Sequence, residues 1–513
     1  MRHAATAAAC LLLAACGNPT DPAGWAKRAE SRSRLDEKLQ ALAEVRKAPG
    51  DRKAAVPALV DVLKQAPRAR AQAALALGEI GDPSAVKPLL EAVDLQNRDR
   101  DVLEANRYIA DALGALRARE AVPRLKDLLS SPDAYVQVAA VDALGRVGDP
   151  AAVETLVGIV SNAQIEPFIV KKALLALGRI GDPKAAPAVL KMLFEERPGV
   201  SFYPEAAFAA SQIGRPTASR LLAILEGKDA DLATWAKGRG VVPGALYAKS
   251  AQLLGDVGGP EAIPALVAKL AYRDAEPGVE LYVRVIAAES LGRLRAKEAV
   301  RALGEQLARE KDPNVRDRLC DALVRIGDPA ALPALRAAAG AGSWDLREGP
   351  LSAVSRIGGA SDRTLVETAQ QGDCAKGCTP AVQSAYAGML ARLDAAKVCG
   401  DAACWTGRLA DASAAVRDRA ALELGRGGGA SSAVALGDAI VKPVNDPTEL
   451  AARYHAVLAL GWIAAREKVG AAGEPIAAKI DAMIAADRGR TLTAGVNEDA
   501  LRLATRLRRD AGK

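Results

Sequence analysis

ALGRVGDPAAV at residues 143–153 decides the architecture, because the chain keeps returning to it: ALGEIGDPSAV stands at 76–86 and ALGRIGDPKAA at 176–186. With the glycine of the ALG phrase as ruler, the equivalent positions are Gly78, Gly114, Gly145, Gly178, Ser211, Gly255, Gly292, Val324, Ser355, Gly388, Gly425 and Gly461. The mean spacing is about 35 residues, between the tetratricopeptide and ankyrin periods and the longer HEAT period, so period alone does not choose among repeat architectures. One supersecondary unit copied along a line makes an extended surface rather than a closed pocket.

The content of each unit is more specific. Val136, Ala139, Ala140, Ala143 and Leu144 recur at steps of three and four, which puts them on one face of a helix, here called helix B. Gly-Asp-Pro then follows at 148–150, 181–183 and 327–329: a residue suited to a left-handed helix end, an N-capping carboxylate and a proline. A second apolar segment, helix A, restarts behind it, with Pro57, Pro88, Pro123, Pro187, Pro264 and Pro333 near its beginning. Proline is tolerated only in a first turn, so a tight capping turn is expected there. The recurrent Asp82, Asp149, Asp182 and Asp328 are explained by this capping.

The pattern AVPALxxxL, VRxxAAxALG, IGDP resembles the HEAT-like repeats of the phycobilin-lyase type. AAVPALVDVLK at 54–64, NVRDRLCDALVRIGDPAALPAL at 314–335 and AVRDRAALELG at 415–425 carry the resemblance, which runs from about Leu35 to about Ala465. It implies an all-α fold, a right-handed superhelical HEAT-like α-solenoid of about 13 helix pairs. Aromatic residues make up 3% of the chain, which leaves no room for tetratricopeptide landmarks, and the ankyrin Thr-Pro-Leu-His is absent.

The N-terminus carries a second signal. Met1-Arg2-His3 precedes a short run of small apolar residues that ends in Leu13-Ala14-Ala15-Cys16. The run is too short to span a bilayer and has the shape of an export signal. It resembles the lipobox of bacterial lipoproteins, which implies lipidation of Cys16 and cleavage before it. Gly17 and Asn18 follow with no Asp, which favours the outer membrane, facing the periplasm. The organisation expected is therefore a signal peptide over 1–15, the lipidated cysteine and a polar tether over 16–34, a solenoid over 35–490, and a C-terminal capping helix over 491–513, where LRLATRLRR has a wet outer face.

Two stretches depart from the period. The insertion 227–244 brings Trp235 as an interaction anchor or as a lid on the local core. The unit 374–404 carries Cys374, Cys378, Cys399 and Cys404. In an exported chain disulfides are expected rather than zinc. The helix expected over 381–393 separates the pairs by about 20 Å, which favours Cys374 with Cys378 and Cys399 with Cys404. Cys320 reads as a small buried hydrophobe.

Catalysis has little material. Of two histidines, His3 belongs to the export signal, which leaves His455 in YHAVLALG, a packed or half-exposed helix residue. No His-rich metal site, cofactor motif or nucleophile elbow is visible, and the paired His-Glu motifs of deoxyhypusine hydroxylase are absent. The residue after the ruler is more suggestive: Arg146, Arg179, Arg293, Arg325, Arg356 and Arg426 would align in stacked repeats. Each would complement the negative end of its helix, or together they would form a basic ladder for acidic proteins or anionic envelope glycan. With a net charge of +7 from 69 basic and 62 acidic residues, nucleic acid is not an expected partner. The expectation is a non-enzymatic, lipid-anchored binding scaffold of the cell envelope. The alternative is a redox or metal accessory using the cysteines.

Overall fold

The computed structural model describes residues 21–511 apart from Ala341, so the export signal and Cys16 lie outside the described residues. Twenty-nine helices are described; they form fourteen A/B pairs and one extra helix, Ala230–Lys237. The fold is an all-α HEAT-type solenoid, as the repeats predict. The chain groups into two compact units, one ending at Val257 and the other beginning at Gly258, a division that the periodicity did not signal.

In the first unit the B helices with ruler positions are Pro67–Ile80, Arg100–Ala115, Ala134–Val147, Pro167–Ile180, Tyr203–Ile213 and Pro243–Val257. In the second they are Pro277–Arg293, Pro313–Ile326, Trp344–Ile357, Pro380–Val398, Ala414–Gly427 and Pro447–Arg466. Helix A is short, about two turns in most repeats, and enters through a 3-10 turn that begins at the proline of Gly-Asp-Pro. Asp149 shows the local logic: its carboxylate accepts from the Ala151 amide at 2.8 Å, and Gly148 before it sits at φ 72°. Where Gly-Asp-Pro is missing, Arg117 (φ 49°) and Arg295 (φ 52°) adopt the left-handed conformation in its place.

The ruler glycine has a packing role. A Cβ on Gly145 would lie 2.8 Å from Cα of Ala176; on Gly114, 2.8 Å from Cα of Ala143; on Gly292, 2.9 Å from Cα of Ala322. The alanine in each case stands two residues before the next ruler position. The ALG phrase is thus both halves of one contact, with the glycine of a B helix seated on the alanine of the following one. Leucine between them is buried, as in Leu144, Leu177 and Leu323.

The polar tether expected over 16–34 is helical over Pro22–Ser31. Asp21 caps it by accepting from Ala23 and Gly24, Pro22 occupies the first turn, and Ala26 and Ala29 are fully buried against the helices that follow. At the other end, Ala494–Ala511 is helical, with Leu503 and Leu507 buried and Leu501 exposed.

Gly145→Ala is expected to lower the urea midpoint, with an overpacking cost of about 1–3 kcal/mol. Gly461 faces open space inside its helix, and Gly461→Ala is expected to raise stability by up to about 1 kcal/mol through helix propensity alone. Equal behaviour of the two variants would contradict the close-approach role.

Candidate interaction surface

In the first unit the two kinds of connection differ. The B-to-A turns within it span one to five residues, whereas the A-to-B connections run from three residues to the seventeen of 226–242. The long ones are 92–99, 193–202, which folds into a two-stranded hairpin pairing Glu196 with Ser201, and 226–242. Topology collects all of them on one rim. Among the described residues of this unit every large, exposed hydrophobic lies on that rim as well: Leu95 and Val242 in the connections, and Tyr135 (68% exposed) and Phe168 (55%) in the opening turns of their B helices. Tyr135 and Phe168 each stand ten residues before the ruler, in adjacent repeats.

The rim is held by a residue eight positions before the ruler. Arg70 donates through Nε to the Leu63 carbonyl (2.9 Å), Asn106 through Nδ2 to Asp94 (2.7 Å), and Gln137 through Nε2 to Ser131 (2.7 Å). The second unit repeats the device: Arg316 donates to the Leu307 and Glu310 carbonyls (2.9 and 3.1 Å), and Arg417 to those of Asp411 and Ala412 (2.8 and 2.9 Å). Connections without a ladder of their own thus have their carbonyls satisfied from helix B. This position is the Arg of VRxxAAxALG, present in the motif but not recognised as functional from sequence; a polar residue alone among buried positions was the available signal.

The insertion 227–244 forms the extra helix Ala230–Lys237, capped by Asp229, which accepts from the Leu232 amide at 3.0 Å. Trp235 is half-buried, with the Arg239 guanidinium 4.4 Å and the Lys191 ammonium 5.4 Å from its ring. Arg239 also pairs with Glu195 of the neighbouring connection (3.2 Å). Beside this helix lies a groove of about 500 Å³ lined by Ile224, Leu232, Val241, Val242, Pro243 and Leu246, with Asp229 and Lys237 at its polar margin.

The arginines after the ruler have two fates. Arg146 pairs with Asp111 (3.5 Å) and Arg179 with Asp142 (3.1 Å), each acid lying three residues before the preceding ruler; in the first unit these arginines are thus neutralised rungs between neighbouring B helices. In the second unit Arg325 is buried within the packing, and Arg293, Arg356 and Arg426 are half-buried. Asp418, fully buried, receives Nε of Arg356 (2.8 Å) and Nε of Arg392 (3.0 Å) on one oxygen and Nδ1 of His455 on the other. His455 is therefore a buried partner of this cluster. Burial alone would raise the Asp418 pKa, but Arg356, His455 and Arg392 outweigh it and hold the group well below the usual carboxylate range. Arg426, pushed down to about 10 chiefly by burial, donates to Glu423 (2.9 Å) and to the Val324 and Arg356 carbonyls (3.1 and 3.4 Å).

Cys374 with Cys378 and Cys399 with Cys404 stand at disulfide distance, flanking the helix Pro380–Val398, and Cys320 is a buried free thiol whose pKa burial raises. Among the described residues no group of three or more His, Cys, Asp or Glu is arranged to hold a metal ion, and no helix is long and apolar enough to cross a membrane.

Sequence profiles described as HEAT repeats match residues 103–167, 123–201 and 278–355, and one described as PBS lyase HEAT-like repeat matches 69–94. No curated protein matches the sequence. Among solved structures, an importin beta crystallised in polyethylene glycol is 14% identical, with 96% of this chain and 70% of that one covered and a TM-score of 0.47. Yeast importin-beta (Kap95p) is 13% identical over 95% of this chain and 76% of its own, with a TM-score of 0.45. Human deoxyhypusine hydroxylase is 19% identical over 60% of this chain and 96% of its own, with a TM-score of 0.23.

Asp418→Asn is expected to destabilise the second unit by about 3–5 kcal/mol, because Arg356 and Arg392 lose their buried counter-charge. The folded-state pKa is lowered, so the stabilisation from Asp418 is present above the unfolded carboxylate pKa near 4 and is lost as pH falls through the lower folded value. The deficit of the variant, read by thermal unfolding, should therefore persist from pH 8 to pH 5 and shrink in stronger acid.

Proposed function

We propose that this protein is a non-enzymatic interaction scaffold, anchored through a lipid on Cys16 in the bacterial cell envelope, whose protein partner docks on the A-to-B rim of the first unit. The observation that carries the reading is the placement of the exposed large hydrophobics described for that unit, and of its long connections, on that rim, opposite turns of at most five residues. Insertions of repeat proteins often lie on a binding face, and a few residues, aromatics prominent among them, carry most of the energy at an interface. The groove beside Ala230–Lys237 and the ring of Trp235 extend the same rim.

The anchor rests on LAAC ending at Cys16 and on the export-type segment before it. An outer-membrane position facing the periplasm follows from Gly17 and Asn18 after the cysteine. The oxidising compartment accords with the two cysteine pairs at disulfide distance.

Two experiments test the proposal. Metabolic labelling with a tritiated fatty acid should mark the wild type and not Cys16→Ser, which should also leave the membrane fraction; equal labelling removes the anchor. In-cell crosslinking followed by mass spectrometry should capture a saturable partner, lost by at least about tenfold in Tyr135→Ala/Phe168→Ala and retained in Arg146→Glu/Arg179→Glu. Loss only in the arginine variant would move the surface to the ladder.

A further inference from the structure

The insertion 227–244 leaves a cavity to which the rim reading gives no occupant of its own. The extra helix Ala230–Lys237 buries only Leu232 and Ala236, and between it and the opening turn of Pro243–Val257 remains the groove of about 500 Å³. Ile224, Leu232 and Leu246 contribute buried apolar wall, Val241 is half-buried, and Val242 stands exposed at the lip. A space of this size falls within the range of about 300–1,000 Å³ typical of small-molecule sites, which are mostly apolar with few polar groups. Another cavity of the same unit, about 580 Å³ beside 92–99, is lined instead by charges of both signs, Lys64, Arg70, Glu91, Asp94 and Arg124 among them.

The backbone around the groove limits what can lie in it. The amides of Gly227, Ala233, Gly240 and Val241 donate to the carbonyls of Ile224, Asp229, Lys237 and Ala236, and the Leu232 amide donates to the Asp229 carboxylate. These amides are spent within the insertion, so a peptide laid along them would bury its own polar backbone without those donors, which is costly. An aliphatic chain asks for no such partner and gains by leaving water.

Charge limits the other end of the ligand. Asp229 and Lys237 are the charged residues lining the groove. The Asp229 carboxylate is occupied on both oxygens, one by the Leu232 amide at 3.0 Å and the other by Nε of Arg220 at 2.8 Å. Lys237 is exposed and has no ion-pair partner among the described residues. The charge left over at the margin is positive.

We propose that this groove binds an anionic amphiphile of the fatty-acid class, its single aliphatic tail along Ile224, Leu232, Val241 and Leu246 and its carboxylate at the Lys237 ammonium. The site lies within the first unit and stands whether or not a protein docks at Tyr135 and Phe168.

The test is isothermal titration of the purified full chain with sodium decanoate, sodium hexanoate and decyltrimethylammonium bromide, each below its micellar concentration. Decanoate is expected to bind saturably, hexanoate at least about tenfold more weakly because each methylene adds apolar burial, and the cationic amphiphile more weakly than decanoate. Ala233→Trp, at an exposed helical position lining the groove, should fill the space and weaken decanoate binding at least about tenfold. Lys237→Gln should weaken it about two- to fivefold, as suits an exposed charge. Tyr135→Ala/Phe168→Ala should leave it unchanged, which separates this result from that of partner docking. Should Ala233→Trp fail to fold, Val242→Asp at the exposed lip carries the same tenfold expectation. No saturable heat with decanoate, equal binding of hexanoate, preference for the cationic amphiphile, or undiminished binding in a folded groove variant overturns the proposal.

Discussion

The contact on which this structure depends is the seating of a glycine on an alanine between consecutive B helices. At Gly114 on Ala143, Gly145 on Ala176 and Gly292 on Ala322 the approach leaves no space for a Cβ. Close backbone approach brings the buried leucines on either side into dense packing, and it sets the spacing from one repeat to the next. Where Ser211, Val324 or Ser355 replaces the glycine, that closest approach is not available. The stack accommodates the exceptions because each repeat contacts chiefly its neighbours.

Given that fixed stack, the two edges of a repeat are under different constraints. The B-to-A turn must reverse the chain within a few residues without disturbing the glycine contact just before it, so it is built from a left-handed glycine, a capping carboxylate and a proline. The A-to-B connection follows the shorter helix and has no such neighbour. Its backbone is satisfied from helix B by Arg70, Asn106, Gln137, Arg316 or Arg417, and this holds whether the connection is four residues long or eight. Variation therefore accumulates on one edge of the repeat for reasons of chain packing before any partner is considered.

Much of the fold was legible because its signals are local. The phrase ALG-x-x-GDP contains the helix end, the cap and the restart in eight consecutive residues, and the helix pairs follow from it. The cysteine pairing was legible for the same reason, since an intervening helix separates the two pairs. What escaped the sequence is what depends on distant partners. Asp317 and Asp418 occupy the same register in the phrases VRDRLCDALV and VRDRAALELG, which open identically, yet Asp418 is fully buried between Arg356, Arg392 and His455, whereas Asp317 remains open to solvent. Three repeats have to be in place before those partners exist. The arginines after the ruler illustrate the same limit: one register yields exposed rungs in the first unit and interior groups in the second. Composition misleads over residues 22–31, because a polar surface conceals the two alanines that pack inward.

The clasp from helix B has a consequence for how such a chain diversifies. A connection whose carbonyls are served by a single side chain of the helix B that follows it can change length without altering the stack: those clasped by Arg70 and Asn106 are four and eight residues long. Segments of that kind can be exchanged between repeats, or between paralogues, while the register of the helices is inherited unchanged. The scaffold thus separates the part of the sequence that must be conserved in order to fold from the part that is free to acquire a new specificity.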